Sequence, residues 1–314
     1  MRRFVVIVML ALLIVACKAG GKKQVEITSP FIGGSQGLAL DFQDLRTDVF
    51  DGGRDPFDII IKLENKGETL IARDNVRVKI SGINPAEFGK TEQQLMLSAP
   101  DDVIEMRKDP QGGIIPSVPI TVDFVGLNHK GLIAGASAQF TIRADACYLY
   151  RTRAVSKLCV RDNLLAPRPG GICEITEPKP VYNSGAPVQI SDFKESTRAK
   201  DKVAFTFEVK NAAQGNIFER NKMCDRSERR NENRVYVIVN TDLPGLSCTG
   251  LETTSKGAEG FVTLFGGSKI IPCTQPIDTR TDFEQLVNME VVYDYEQSVQ
   301  TQFSVKSSGE GTLS

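Results

Sequence analysis

Short apolar–polar alternations with a period of two recur along most of this chain, and they constrain its fold more than any other feature. Residues 57–64 read Phe-Asp-Ile-Ile-Ile-Lys-Leu-Glu and stop at Asn65-Lys66-Gly67. Residues 75–80 alternate and stop at Ser81-Gly82; residues 118–125 and 138–150 follow, and 155–160 reads as the returning strand of a hairpin. Successive side chains on a strand point to opposite faces, so such runs bury one face and wet the other. β-Branched and aromatic residues fill them, with Gly, Pro, Asn and Asp at their ends. Alternation resumes at 186–193, 203–210, 235–240, 261–265, 287–295 and 301–305. Regularly spaced short strands predict an all-β chain of sandwich type.

Pro167, Pro169, Gly170, Gly171, Pro178 and Pro180 interrupt the pattern and mark a boundary. The expected layout is one sandwich over residues 35–165, a linker over 166–182, a second sandwich over 183–306 and a frayed tail over 307–314. The two halves repeat their landmarks in order. Ser35-Gln36-Gly37-Leu38 corresponds to Ser184-Gly185-Ala186-Pro187-Val188, the strand ending at Gly67 to the one before Gly215, residues 76–85 to 235–244, and Tyr148-Leu149-Tyr150 to Tyr293-Asp294-Tyr295. That order argues for a duplicated domain.

The first seventeen residues say where such a chain goes. Met1-Arg2-Arg3 is followed by an apolar run over residues 4–16 and then Cys17, the last four residues reading Ile-Val-Ala-Cys. The run is shorter than the roughly twenty residues a spanning helix needs, so it reads as a secretory signal. Cys17 closes a lipobox-like sequence and is the expected lipidation site, and residues 18–34 form a polar tether. The expectation is export, with anchoring to the outer face of the cytoplasmic membrane or to the cell envelope.

Six cysteines remain: Cys147, Cys159, Cys173, Cys224, Cys248 and Cys273. An even set in an exported chain predicts three disulfides. Cys147 with Cys159 suits a hairpin, Cys248 with Cys273 is the next most natural pair, and Cys173 with Cys224 completes the set. Zinc needs ligands two to four residues apart, and no two cysteines are that close.

The strand–Asn-Lys-Gly–strand pattern resembles immunoglobulin-like sandwiches of the CARDB and NEW3 kind. With the Cys147-Tyr148-Leu149-Tyr150 segment and the Ser184–Val188 opening, the mature chain resembles uncharacterised archaeal cell-surface proteins that carry such domains in tandem. The resemblance implies fold and location and brings no activity with it. The chain departs from true immunoglobulin domains in having no Trp.

Candidate chemistry is thin. His129, the one histidine, lies between Gly126 and Gly131 and reads as a solvated turn residue. Ser191-Asp192-Phe193-Lys194 has the spacing of a Ser–Lys dyad but continues a strand, where residues three apart face opposite ways. Residues 82–91 end in Gly-Lys-Thr, yet they carry Pro85 and Glu87 and have the wrong glycine spacing for a phosphate loop. Asp41, Asp44, Asp48, Asp51, Asp55 and Asp58 crowd a short segment; Asp51, Asp55 and Asp58 form a weak calcium candidate against a default of no metal site. Residues 219–234 are dense in both charges and read by default as a solvated surface; the functional alternative is a contact loop for a neighbouring envelope molecule.

The net charge of −1 gives no basic excess for nucleic acid. The expectation is therefore a non-enzymatic, cofactor-free surface protein, structural or adhesive. Its partners would be the membrane through the N-terminal lipid, and other envelope proteins or surface glycans. Two alternatives stand beside it: an envelope-assembly or pilus-like subunit that pairs through edge strands, and a carbohydrate- or ligand-binding module.

Overall fold

A computed structural model describes residues 29–165 and 171–309. The described residues from 31 onward form one compact unit. The signal segment, Cys17 and the tether as far as residue 28 lie outside the described residues, as do 166–170 of the linker and 310–314 of the tail.

The described chain is all-β, with a few 3-10 turns and no α-helix. Its first part carries β1 (Leu38–Gln43), β2 (Asp48–Phe50), β3 (Phe57–Asn65), β4 (Val76–Ser81), β5 (Met96–Ser98), β6 (Arg107–Lys108), β7 (Ile114–Ile115), β8 (Ile120–Leu127) and β9 (Ser137–Val160). The second carries β10 (Tyr182–Asn183), β11 (Val188–Ala199), β12 (Lys202–Asn211), β13 (Asn216–Phe218), β14 (Arg234–Asn240), β15 (Ser247–Cys248), β16 (Glu252–Thr253), β17 (Gly257–Thr263), β18 (Ser268–Pro276) and β19 (Phe283–Lys306).

The alternations select the faces. Phe57, Ile59, Ile61 and Leu63 of β3 are buried, as are Val203, Phe205, Phe207 and Val209 of β12 and Val235, Val237 and Val239 of β14. Each such side chain removed from water stabilises by roughly 1.5–3 kcal/mol. The buried set forms one continuous core that runs through both parts of the chain.

A three-stranded sheet β1-β3-β8 and a four-stranded sheet β11-β12-β18-β15 are separate, but a ten-stranded sheet joins the halves. Its main path is β16-β17-β14-β19-β9-β4-β5, with β2, β10 and β13 attached. The centre of that path is an antiparallel pair, β9 with β19, matched over all 24 residues from Ser137↔Lys306 to Val160↔Phe283. At about 3.3 Å per residue the pair extends roughly 80 Å.

This pairing corrects two expectations. Residues 155–160 are not the second strand of a hairpin, because 137–160 run straight on as one strand. The halves are also not independent domains divided at 166–182. Phe303, near the end of β19, packs on Phe57 and Phe88 of the first half, and β2 lies parallel to residues 304–306. In return Glu195 of β11 holds the Cys159 backbone N–H near the end of β9. Each half completes its core with the far end of the other half's long strand.

Four tyrosines close the seam. Tyr148, Tyr150, Tyr293 and Tyr295 are all buried, and their rings meet at 5.6–6.4 Å. Every hydroxyl is satisfied, as burial requires. Tyr148 and Tyr293 accept from the Leu38 and Val188 backbone N–H at 3.1 and 3.2 Å. Tyr150 and Tyr295 donate to Oδ1 of Asn65 and Asn211, both at 3.2 Å. Burial pushes all four phenols above their ordinary range. The duplication seen in the sequence thus recurs as equivalent side-chain contacts.

The three disulfides join Cys147 to Cys224, Cys159 to Cys173 and Cys248 to Cys273. Only the last agrees with the expected pairing. Cys147 and Cys159 share β9, and twelve residues of extended strand separate them by about 40 Å, far beyond the reach of a disulfide. Three structural bridges fit an oxidising, extracellular setting. No helix among the described residues is long and apolar enough to cross a membrane.

Candidate functional site

The calcium candidate does not assemble. Asp51 is buried, and its two carboxylate oxygens accept from the Ile133 and Ser308 backbone N–H at 3.0 and 2.8 Å. Those bonds hold its carboxyl below the usual range. Asp55 pairs in bidentate fashion with Arg46 at 2.8 and 2.9 Å, which lowers it likewise. Asp58 accepts from Gly126 N–H at 2.6 Å. Each carboxylate ties a different loop, and the described residues contain no cluster suited to a metal ion.

His129 is buried, not solvated. Its Nδ1 lies 2.9 Å from the Gly131 carbonyl, and its ring packs edge-on against Phe88 at 5.2 Å. The glycines around it make a turn that folds the ring inward. Residues 82–91 form a 3-10 turn over Pro85–Phe88, capped by Asn84 Oδ1 accepting from Ala86 N–H. The backbone is closed on itself there and offers no phosphate cradle.

The Ser191–Lys194 segment differs from its expected geometry. Ser191 lies opposite Glu208 and Lys194 opposite Thr206, with a bulge between them. Glu208 and Thr206 share one face of β12, so the bulge returns Ser191 and Lys194 to a common face. Asp192 absorbs the extra residue at φ 52°. No dyad results, because the Ser191 hydroxyl lies 3.4 Å from Glu208 Oε2 and is not bonded to Lys194.

That bulge lines a cleft of about 670 Å³ between β11 and residues 176–183. Glu195 and Lys179 lie at its base, with side chains 0% and 4% exposed and an N–O distance of 3.5 Å. Lys179 Nζ also donates to the Glu174 carbonyl at 2.7 Å and to Glu177 at 2.9 Å. Burial raises the Glu195 carboxyl to about 7, against the opposing pull of the Cys159 N–H and Lys179. The pair secures the end of β9 and residues 174–179 to β11.

An organised exposed surface lies on residues 219–234 and the adjoining strands. Cys224 is bonded to Cys147, and the buried Asp294 carboxylate accepts from the backbone N–H groups of Asn221, Lys222 and Met223. Burial outweighs those bonds and leaves Asp294 raised. Left-handed backbone at Asn221, Met223 and Cys224, with φ of 63°, 50° and 55°, turns the chain around the carboxylate. The neighbouring face carries Tyr236 and Phe261, directly opposite in register and 4.9 Å apart. Arg220 lies over Tyr236 at 3.6 Å, and Arg234 over Phe261 at 4.5 Å. This rigid loop and its aromatic–arginine surface form the candidate recognition site.

No known family matches the chain, and no curated protein is similar enough to serve as a relative. Charge density in the sequence marked the loop, but the rings that complete the surface lie on β14 and β17, where alternation marked them only as outward-facing residues.

Proposed function

We propose that this protein is a non-catalytic, membrane-anchored surface protein, exported and lipidated at Cys17, that displays recognition loops on rigid sandwiches. The supporting observation is the seam. Two halves share one sheet through a fully paired 24-residue strand couple, and disulfides fasten its approaches at Cys147–Cys224 and Cys159–Cys173. Such construction suits holding a surface in a fixed orientation, since loops on a rigid frame carry recognition. The ends of the large sheet's main path are β5 and β16, of three and two residues. Those short edges discourage strand addition to the large sheet, whereas β11, of twelve residues, is an edge of the four-stranded sheet.

The test is surface labelling of intact producing cells, combined with detergent partitioning of a Cys17→Ser form. The expected result is a chain reactive toward an impermeant amine reagent and held in the detergent phase, with the Cys17→Ser form released. A chain found inside the cell with reduced thiols and residues 1–17 retained overturns the reading.

A further inference from the structure

We propose that Arg220, Tyr236, Phe261 and Arg234 form a binding ledge for an acidic polysaccharide, with Arg220 receiving a sugar carboxylate. The inference rests on the surface-display reading and names the ligand class of its recognition surface.

Val235 and Val237 point into the core, so Tyr236 faces outward, and Phe261 stands beside it on β17. The rings meet at 75°. The Arg220 guanidinium carbon lies over the Tyr236 ring, 3.6 Å from its centroid, and 5.7 Å from that of Phe261. A guanidinium stacked by its face keeps all its N–H donors in plane, directed away from the ring. Among the described residues those donors have no partner. The arginines around it differ: Arg226 pairs with Glu296, Arg230 with Glu228 at 2.6 Å and Arg234 with Glu219 at 2.8 Å. Arg229 is exposed at the loop tip and lacks the aromatic support. Arg220 is thus the stacked cation whose hydrogen-bonding edge is open.

The loop is already fixed by the Cys147–Cys224 bridge and the Asp294 amide cradle. A ligand therefore meets an ordered receptor and spends little free energy arranging it. Residues 219–234 hold six cations against four carboxylates, which favours an anion, while Glu259 two positions from Phe261 disfavours uniformly dense charge. The surface is the face of a sheet, where backbone donors point sideways into the ladder and not toward a ligand. A peptide laid there leaves its own backbone unpaired. A uronic-acid ring does not: its C–H face packs on an aromatic ring and its carboxylate reaches the guanidinium fork.

The experiment titrates the disulfide-bonded chain by calorimetry with an oligogalacturonate, its fully methyl-esterified form and a poly-glutamate of similar charge. The oligogalacturonate is expected to bind, and the ester and the peptide are not. Arg220→Gln should weaken binding about tenfold or more with an unchanged melting temperature, and Arg220→Lys should fall between. Tyr236→Leu, which removes the stacking ring but no charge, should weaken it as well. Equal binding by the ester or by poly-glutamate overturns the proposal, as does no binding at millimolar sugar or an Arg220→Gln form that binds like the parent. A chain that labels at the cell surface yet ignores the sugar defeats the ledge and leaves the display reading intact; a chain absent from the surface defeats display whatever the ledge does.

Discussion

Leu149 and Asp294 lie directly opposite one another near the middle of the β9–β19 ladder. Tyr148 and Tyr295 form the pair on one side, Tyr150 and Tyr293 the pair on the other. Exchanging the two strands about this point carries each tyrosine onto one with the same kind of partner. The duplicated halves are therefore related across a self-complementary strand pair, as two subunits would be across an isologous interface.

That relation sets a quantitative expectation. Tyr150→Phe strips a hydroxyl from Asn65 and Gly185, and Tyr295→Phe strips one from Asn211 and Gly215. Each should cost about 1–3 kcal/mol in urea unfolding, since a buried partner is left unsatisfied. The two values should agree within about 1 kcal/mol. A larger gap would mean that the halves differ energetically despite their matched geometry.

Gly67 and Gly215, at equivalent places in the two halves, should tolerate no side chain. A Cβ at Gly67 overlaps the Tyr150 hydroxyl and the Gly185 carbonyl, and one at Gly215 overlaps the Tyr295 ring and the Glu296 carbonyl. Backbone cannot give way as a flexible side-chain tip can. Gly67→Ala and Gly215→Ala should each lose about 4 kcal/mol or more, or fail to accumulate as folded protein. Soluble, cooperatively melting variants within a few degrees of the parent would contradict this packing.

Non-reducing digestion followed by mass spectrometry should recover peptides linking Cys147 to Cys224, Cys159 to Cys173 and Cys248 to Cys273. The double change Cys147→Ala with Cys224→Ala should lower stability by about 2–4 kcal/mol. A recovered Cys147–Cys159 peptide would rule out β9 as one continuous strand.

Glu195 should make stability depend on pH. Its carboxyl rises from 4.5 to about 7 on folding, so between those values the folded chain holds a proton that the unfolded chain has released. Stability then falls as pH rises through that window and levels off above it. Lys179 faces the ionised form and limits the loss, while Glu177 adds to it. Glu195→Gln retains an acceptor for the Cys159 N–H and should flatten this part of the profile, by about 1–3 kcal/mol across the window. Denaturant titrations at several pH values give the comparison; an unchanged slope would acquit Glu195.

Strand positions were legible because alternation writes itself into residue order: β3, β4, β12 and β14 lie where the pattern put them. The long strand was not. The hairpin reading put a turn between residues 150 and 155, yet Thr152 is buried, its hydroxyl bonded to the Val188 carbonyl at 2.6 Å and to Tyr293 at 3.1 Å. A polar residue satisfied across a distant contact looks like a solvated one until that contact is known. The same limit applied to Cys147, whose partner sits 77 residues on, and to His129, whose burial depends on Phe88. The loop of the candidate site was visible as charge, whereas the stacking that selects Arg220 from its neighbours exists only after folding.

The uninterrupted β9–β19 couple has a mechanical consequence. With no joint between the halves, a tug received at one extremity passes along the ladder as shear spread over many hydrogen bonds, and cannot be absorbed by bending at a hinge. A grip taken on the second half would therefore be felt in the first as a stiff lever feels it, so the yielding element under load has to be sought outside this fused body.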